Sequence, residues 1–272
     1  MKFISLVEEM KTVRDYKKEP VDSSLIQKVI EAGNETRGIV KSQGASIVFI
    51  KNGKEVYSEL SGKAGYYGKM IEAPHYLAIV SKPYPNFQEN SGYIMEWIRL
   101  KAWEFGLGTC WLSMEDDVEL KKKLDLEEDE VVTALIAIGH PYSGIFKTDI
   151  SPKSGRMGVE DIVYLQNWEN SCSVEYLDSR GLTNIFYYTK FAPSWGNKQP
   201  WRFIIDKEKV FLVVNKEQQK SMKIDAGIVM LYFEKASHEE GIIGKWRLDV
   251  EEVMGKRYHI PEDYELIGYY SI

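Results

Sequence analysis

The chain has 272 residues, with 35 Lys and Arg against 41 Asp and Glu for a formal charge of −6, and 44% of it is hydrophobic. That length suits one large domain or two modest ones around a packed core, and the acidic balance argues against general nucleic-acid binding, so any anion site has to be local. No apolar run reaches the roughly 18–20 residues of a membrane span, residues 1–10 show no signal-peptide pattern, and Cys110 and Cys172 form neither a CxxC pair nor a zinc pattern, so a reducing cytoplasm is the expected compartment.

Apolar Ile4, Leu6, Val7, Met10 and Val13 predict an amphipathic helix over residues 3–16, with Lys11, Thr12 and Arg14 at its basic end. Asp22 or Ser23 caps a second helix through Leu25, Ile26, Val29 and Ile30, and the polar, glycine-bearing residues 33–44 read as a loop. Strands are expected at 46–50 and 76–80 with a helix at 56–70 between them, then a long helix over 91–105 stopped by Gly106. A short strand at 109–112, a short helix at 118–124 and an apolar strand at 130–139, fit for the middle of a sheet, follow. Residues 140–158 hold Pro141, Gly144, Pro152, Gly155 and Gly158 together with Lys147, Lys153 and Arg156, an extended basic segment, and residues 163–173 look like the junction between two halves. The second half reads as a helix at 174–190, strands at 202–205 and 210–214, a helix at 226–240, a strand near Trp246, a short helix at 250–257 and a last strand at 265–270.

The stretch from Lys190 to Phe203 is less generic. Pro193 and Pro200 fix φ and bias Ala192 and Gln199 away from the right-handed helical region, while Gly196 and Asn197 tolerate positive φ. Ser194, Asn197 and Gln199 can both donate and accept, and Trp195 and Trp201 add indoles. A rigid loop of this kind suits a flat, heteroatom-rich ligand better than a metal; on residue types alone an ordinary proline-rich connection fits equally well. The scattered histidines give no metal-ligand spacing, and no Ser-His-Asp or paired-carboxylate arrangement is evident, so no metal and no catalytic side chain is expected.

The two halves also resemble each other. Gly92 matches Gly227, Met95 matches Met230, Gly106 matches Gly241 and Trp111 matches Trp246, all at one offset of 135 (227 − 92, and likewise). The chain therefore reads as a tandem duplication of one α+β unit, residues 1–163 and 164–272, packed as an intrachain pseudo-dimer and acting as a monomer.

Residues 192–203, Ala-Pro-Ser-Trp-Gly-Asn-Lys-Gln-Pro-Trp-Arg-Phe, closely resemble the Ala-Pro-Ser-x-x-Asn-x-Gln-Pro-Trp signature of the nitroreductase family of FMN-dependent enzymes. Lys11-Thr-Val-Arg-Asp-Tyr16 with Pro20-Val21 is similar to the family's N-terminal basic element, residues 106–112 to its Gly-Leu-Gly-Thr-Cys-Trp segment, and residues 134–141 to its Ala-Leu-Ile-Ala-Leu-Gly-Tyr-Pro strand. The resemblance implies a nitroreductase-like α+β fold. The first half holds the basic element, the Gly-Leu-Gly segment and a basic tail; the second holds the Ala-Pro-Ser loop, and each lacks the other's parts. One complete FMN site built from both halves is the implied arrangement.

In that arrangement Lys11, Thr12 and Arg14, three apart on one helix face in the case of Lys11 and Arg14, meet the phosphate with Lys153 and Arg156. Pro193, Ser194, Asn197 and Gln199 lie against the isoalloxazine, Cys110, Trp111, Leu112 and Ser113 approach N5, and Trp195 lines the substrate channel. Met10 stands where the family has its first basic residue, and Cys110 is expected to be a buried packing residue. The implied activity is ping-pong hydride transfer from NADH or NADPH through flavin N5 to a small electron-poor acceptor, a nitroaromatic or quinone. Met10 and Trp195 keep open a non-catalytic flavin-binding or flavin-sensing protein, and a flavin-free scaffold is a third reading.

Overall fold

The structure, a computed structural model, describes residues 2–36, 38–41, 45–66, 68–142, 155–218, 221–250 and 253–272. Its contacts divide into two compact units, Glu8–Pro152 and Lys2–Val7 with Lys153–Ile272. Among the described residues no helix is long and apolar enough to cross a membrane.

The first unit is built on strands β1 (Ser46–Ile50), β2 (Ala64–Gly65), β3 (His75–Ser81), β4 (Gly108–Met114) and β5 (Val131–Gly139), arranged β1-β3-β5-β4-β2 with every pair antiparallel. Alternate residues of β3 serve opposite cores, as the period of two requires. Leu77 and Ile79 join Val29, Met95 and Ile98 beneath α2 (Ser23–Glu35) and α4 (Phe87–Glu104), whereas Tyr76, Ala78 and Val80 join Val56 and Leu60 of α3 (Gly53–Leu60). Burial on both faces explains why β5 reads as an unbroken apolar run. A register shift opposite Ile79 and Val80 leaves Thr133 as an extra residue, so Val132 and Ala134 face different cores. A short helix, α5 (Val118–Lys123), links β4 to β5.

The second unit contains β6 (Val163–Leu165), β7 (Trp201–Asp206), β8 (Lys209–Asn215), β9 (Trp246–Arg247) and β10 (Tyr264–Ser271) in the order β6-β7-β8-β10-β9. Only the β6–β7 pair is parallel. The long helix α8 (Met222–Glu239) backs this sheet with α6 (Val174–Ser179) and α7 (Thr183–Thr189), and α9 (Val253–Arg257) precedes β10. Phe186, Phe203, Phe233, Trp246 and Tyr270 interlock with ring centroids 5.2–5.7 Å apart. The first helix, α1 (Phe3–Glu9), contributes Phe3 to this unit, edge-on to Tyr232.

Within each unit the same four-strand order recurs, β1-β3-β5-β4 in one and β7-β8-β10-β9 in the other. The long helices α4 and α8 are both 18 residues, again displaced by 135 (222 − 87). They also stop alike. The Leu107 N–H donates to the Ala102 carbonyl at 2.8 Å and the Ile242 N–H to that of Ser237 at 2.9 Å, with Gly106 at φ +79 and Gly241 at φ +83. This is a glycine-terminated helix end in which orphan carbonyls are capped by the chain that follows.

Several elements depart from sequence expectation. The helix expected over residues 3–16 stops at Glu9, because residues 12–16 are taken into a ladder with the sheet: the Val13 N–H donates to Thr109 and the Lys17 N–H to His140. The helix expected at 56–70 ends at Leu60, and the chain turns through Gly62, at φ +83, into β2. The second helix runs on to Glu35, through glycine expected in a loop. The helix expected at 174–190 is two helices, broken at Gly181 with φ +66. The residues expected at the junction include β6, a strand of the second sheet, so the expected boundary at 163/164 falls inside a paired element.

Candidate functional site

In the first unit the basic element is extended. Thr12 bridges Thr109 in parallel and Tyr16 bridges Pro141 antiparallel. The approach is close: a Cβ on Gly108 would lie 2.6 Å from the Val13 side chain, so the second glycine of Gly106-Leu-Gly108 lets this segment lie against β4. Lys11 and Arg14 therefore do not share a helix face. An extended chain pairs Thr12 with Arg14 and directs exposed Lys11 the other way. Met10 is buried at 5% exposure, which accounts for an apolar residue where the family has a cation.

The Arg14 guanidinium carbon lies over Tyr66, 4.2 Å from the ring centroid. Its Nε is buried and has no hydrogen-bond partner among the described residues. Stacking orients the planar fork while leaving its edge as a donor for an anionic oxygen. Lys153 lies outside the described residues.

Strand β4 presents little side-chain chemistry. Cys110 and Leu112 are buried in the core beneath α3, and burial pushes the Cys110 thiol up to about 11, against the nearby Arg99 and Arg14 charges. This is a packing cysteine rather than a nucleophile. Trp111 donates its indole N–H to Glu96 Oε2 at 2.7 Å, and the exposed Ser113 hydroxyl donates to the Gly65 carbonyl at 2.9 Å. Contact between residues 110 or 112 and a ligand is thus limited to their main chain.

Sequence reasoning missed the network behind this strand. Glu96 and Arg99, 0% and 2% exposed, pair at 2.7 Å, and Arg99 Nε donates to Thr109 Oγ1 at 3.2 Å. The available signal was an opposite-charge pair three residues apart in the otherwise uncharged run 92–100.

In the second unit the loop 191–200 folds on itself. Gly196, Asn197 and Gln199 all have positive φ, at 58, 56 and 48. A non-glycine residue there is strained, and Gln199 is held by several bonds at once. Its N–H donates to Ser194 Oγ at 2.9 Å, its Nε2 donates to the Gly155 and Asn197 carbonyls at 3.0 and 3.1 Å, and its Oε1 accepts from the Met157 N–H at 2.8 Å. Asn197 Nδ2 donates to the same Gly155 carbonyl at 3.1 Å. Arg156 closes the clasp by donating to the Ala192 carbonyl at 2.8 Å. The loop is therefore ordered by the segment 155–157, a partnership that no local sequence signal foretold.

The structure separates the two indoles of the loop. Trp201 is fully buried, whereas Trp195 is 40% exposed. The Trp195 N–H donates to both carboxyl oxygens of Asp225, each at 3.2 Å. Asp225 is 3% exposed, and burial holds its carboxyl well above the usual carboxylate range, with the Trp195 N–H opposing. Pro193 and Ser194 are half-buried beside it. Among the described residues no group of three His, Cys, Asp or Glu could hold a metal.

The family model described as "Putative TM nitroreductase" matches residues 2–237. A "putative nitroreductase" of known structure from Thermotoga maritima is similar over 99% of this chain and 92% of its own, with a TM-score of 0.59 and 17% identity. An FMN-dependent nitroreductase from Clostridium difficile aligns over 54% of this chain and 91% of its own, with a TM-score of 0.46 and 21% identity. Iodotyrosine deiodinase bound to FMN and 3-iodo-L-tyrosine aligns over 53% and 92%, with a TM-score of 0.46 and 20% identity. No curated protein matches the chain significantly.

Proposed function

The chain belongs to the nitroreductase family, and from that premise we propose that it is an FMN-dependent oxidoreductase that takes hydride from NADH or NADPH and delivers it to a small electron-poor acceptor. The observation that carries this reading is Arg14, whose guanidinium is stacked on Tyr66 and whose buried Nε is left without a partner among the described residues. A buried guanidinium N–H with an unused bond is costly unless an acceptor meets it, and a flavin phosphate oxygen is such an acceptor. In this reading Thr12 and Arg14, with Lys153 and Arg156, hold the phosphate, and Lys11, directed the other way, takes no part. Pro193, Ser194, Asn197 and Gln199 hold the ring, the main chain of Cys110–Ser113 faces it, and Trp195 flanks the acceptor. Bound FMN supplies the hydride chemistry, and the protein orients it and excludes water. The complementary loss of motifs in the two halves of the sequence supports this reading.

Titration with FMN tests it. One flavin per chain is expected, and a protein that takes up none, or two, overturns the shared-site reading. Arg14→Ala and Asn197→Ala should each weaken FMN binding about tenfold or more, since each removes a bond to a charged or buried group. A second reading, a flavin-binding protein without turnover, is favoured by the Asn197 and Gln199 amide N–H groups being engaged by the Gly155 carbonyl. Anaerobic mixing with NADH or NADPH separates the two, because prompt bleaching of the bound flavin excludes the second.

A further inference from the structure

Asp225 occupies the fourth position of α8, a helix otherwise buried through Met222, Ala226, Ile228, Val229 and Met230. The corresponding residue of the first unit is Asn90, the fourth of α4 and 135 residues earlier (225 − 90), also fully buried. Asn90 Oδ1 accepts from the N–H groups of Ile39 at 2.9 Å and Val40 at 3.3 Å, and its Nδ2 donates to the Tyr84 hydroxyl at 2.9 Å. Residues 39 and 40 precede β1, just as the 192–199 loop precedes β7, and β1 and β7 begin the four-strand order common to both units. Each unit thus turns the fourth residue of its long helix onto a main-chain N–H of the loop entering its sheet. The device recurs even though the loop sequences have diverged, so it serves the loop's path rather than one loop sequence.

We propose that Asp225 is the positioning residue of the 192–199 loop: by accepting the Trp195 N–H it sets the path that aims Ser194 and Asn197 at the flavin and Trp195 at the acceptor. The inference rests on the flavin reading above. Burial shifts Asp225 toward its neutral form, whose shape is that of an asparagine amide, the group the first unit uses at this place. The acceptor oxygen, not a negative charge, is then what the loop requires.

Asp225→Asn and Asp225→Ala separate these roles. Asp225→Ala should weaken FMN binding about tenfold or more and speed hydrogen exchange at the Trp195 amide, whereas Asp225→Asn should keep both within about threefold of the wild type. Wild-type affinity and exchange in Asp225→Ala would overturn the proposal, as would an Asp225→Asn variant as impaired as Asp225→Ala. If Asp225→Ala does not fold, Asp225→Leu fills the space without an acceptor and takes its place. Should the wild type bind no FMN, the flavin reading fails, and exchange at Trp195 in the unliganded protein still decides whether Asp225 positions the loop.

Discussion

The helices α4 and α8 match in length, in glycine-capped ending and in the strands they cover, yet they bury different chemistry. Helix α4 encloses the Glu96–Arg99 pair, which reaches Trp111 and Thr109 of β4. At the equivalent places α8 has Leu231 and Glu234 (96 + 135 and 99 + 135), and the matching tryptophan, Trp246, gives its indole N–H to the Met230 carbonyl at 2.9 Å. One architecture therefore tolerates either a charged or an apolar, aromatic interior. The two matching tryptophans each find an acceptor for the indole N–H, one from a side chain and one from the backbone, whereas the buried indole N–H of Trp201 has no partner among the described residues.

The sharpest way to break this contrast is to remove one charge. Arg99→Leu strands the buried Glu96 carboxylate and should cost about 3–5 kcal/mol, whereas Glu96→Leu with Arg99→Leu should cost only about 1–3 kcal/mol, chiefly the orphaned Trp111 N–H. Denaturant unfolding measures both, and a double variant as unstable as the single would show that the pair stabilises more than its isolated burial suggests.

A smaller contrast appears with pH, because the two units bury titratable groups of opposite sense. Asp225 binds its proton more tightly folded than unfolded. Its contribution is therefore full below the unfolded value of about 4 and declines as pH rises from there toward the native value. In the first unit His75 is 3% exposed, accepts the Val21 N–H at 3.0 Å and sits 2.7 Å from the Lys51 carbonyl, and burial lowers its pKa. Its contribution is full above about 6.5 and declines as pH falls below. Asp225→Asn should flatten the stability profile above pH 4, and His75→Gln should flatten it below about pH 6.5, as followed by thermal melting. Unchanged slopes in both would refute the assignment of either group.

The smallest effect should be the most symmetric. A Cβ at Gly106 or Gly241 meets nothing within 4 Å, so an alanine at either place is opposed only by the positive φ. Gly106→Ala and Gly241→Ala should each cost about 1 kcal/mol. A gap between them larger than that would show that the two helix ends are not equivalent.

Much of the second unit was legible because its signals are local. Pro193, Gly196 and Pro200 constrain their own backbone, and positive φ at Gly196 and Asn197 follows from residue type. The helix end at Gly106 and the apolar strand β5 are local in the same sense. Helical spacing of Ile4, Leu6, Val7, Met10 and Val13 continues past Glu9 and so predicts helix through the basic element, while the competing hydrogen bond to Thr109 comes from nearly a hundred residues away. Lys11 and Arg14 were paired wrongly for the same reason. Asp225 and the clasp by Gly155 were invisible, since a lone acid in an apolar helix and a glycine in a basic segment gain meaning only from their partners.

By itself the sequence determined the family, the 135-residue spacing and the backbone limits at Pro193, Gly196 and Pro200, because motif order, hydrophobic period and proline or glycine geometry are written in residue identity. Only the tertiary structure decided that the basic element is extended along β4, that Cys110 and Leu112 point into a core, and that Asp225 and Asn90 hold equivalent loops. Those outcomes depend on which main-chain N–H groups are buried and on which distant oxygen is there to accept them.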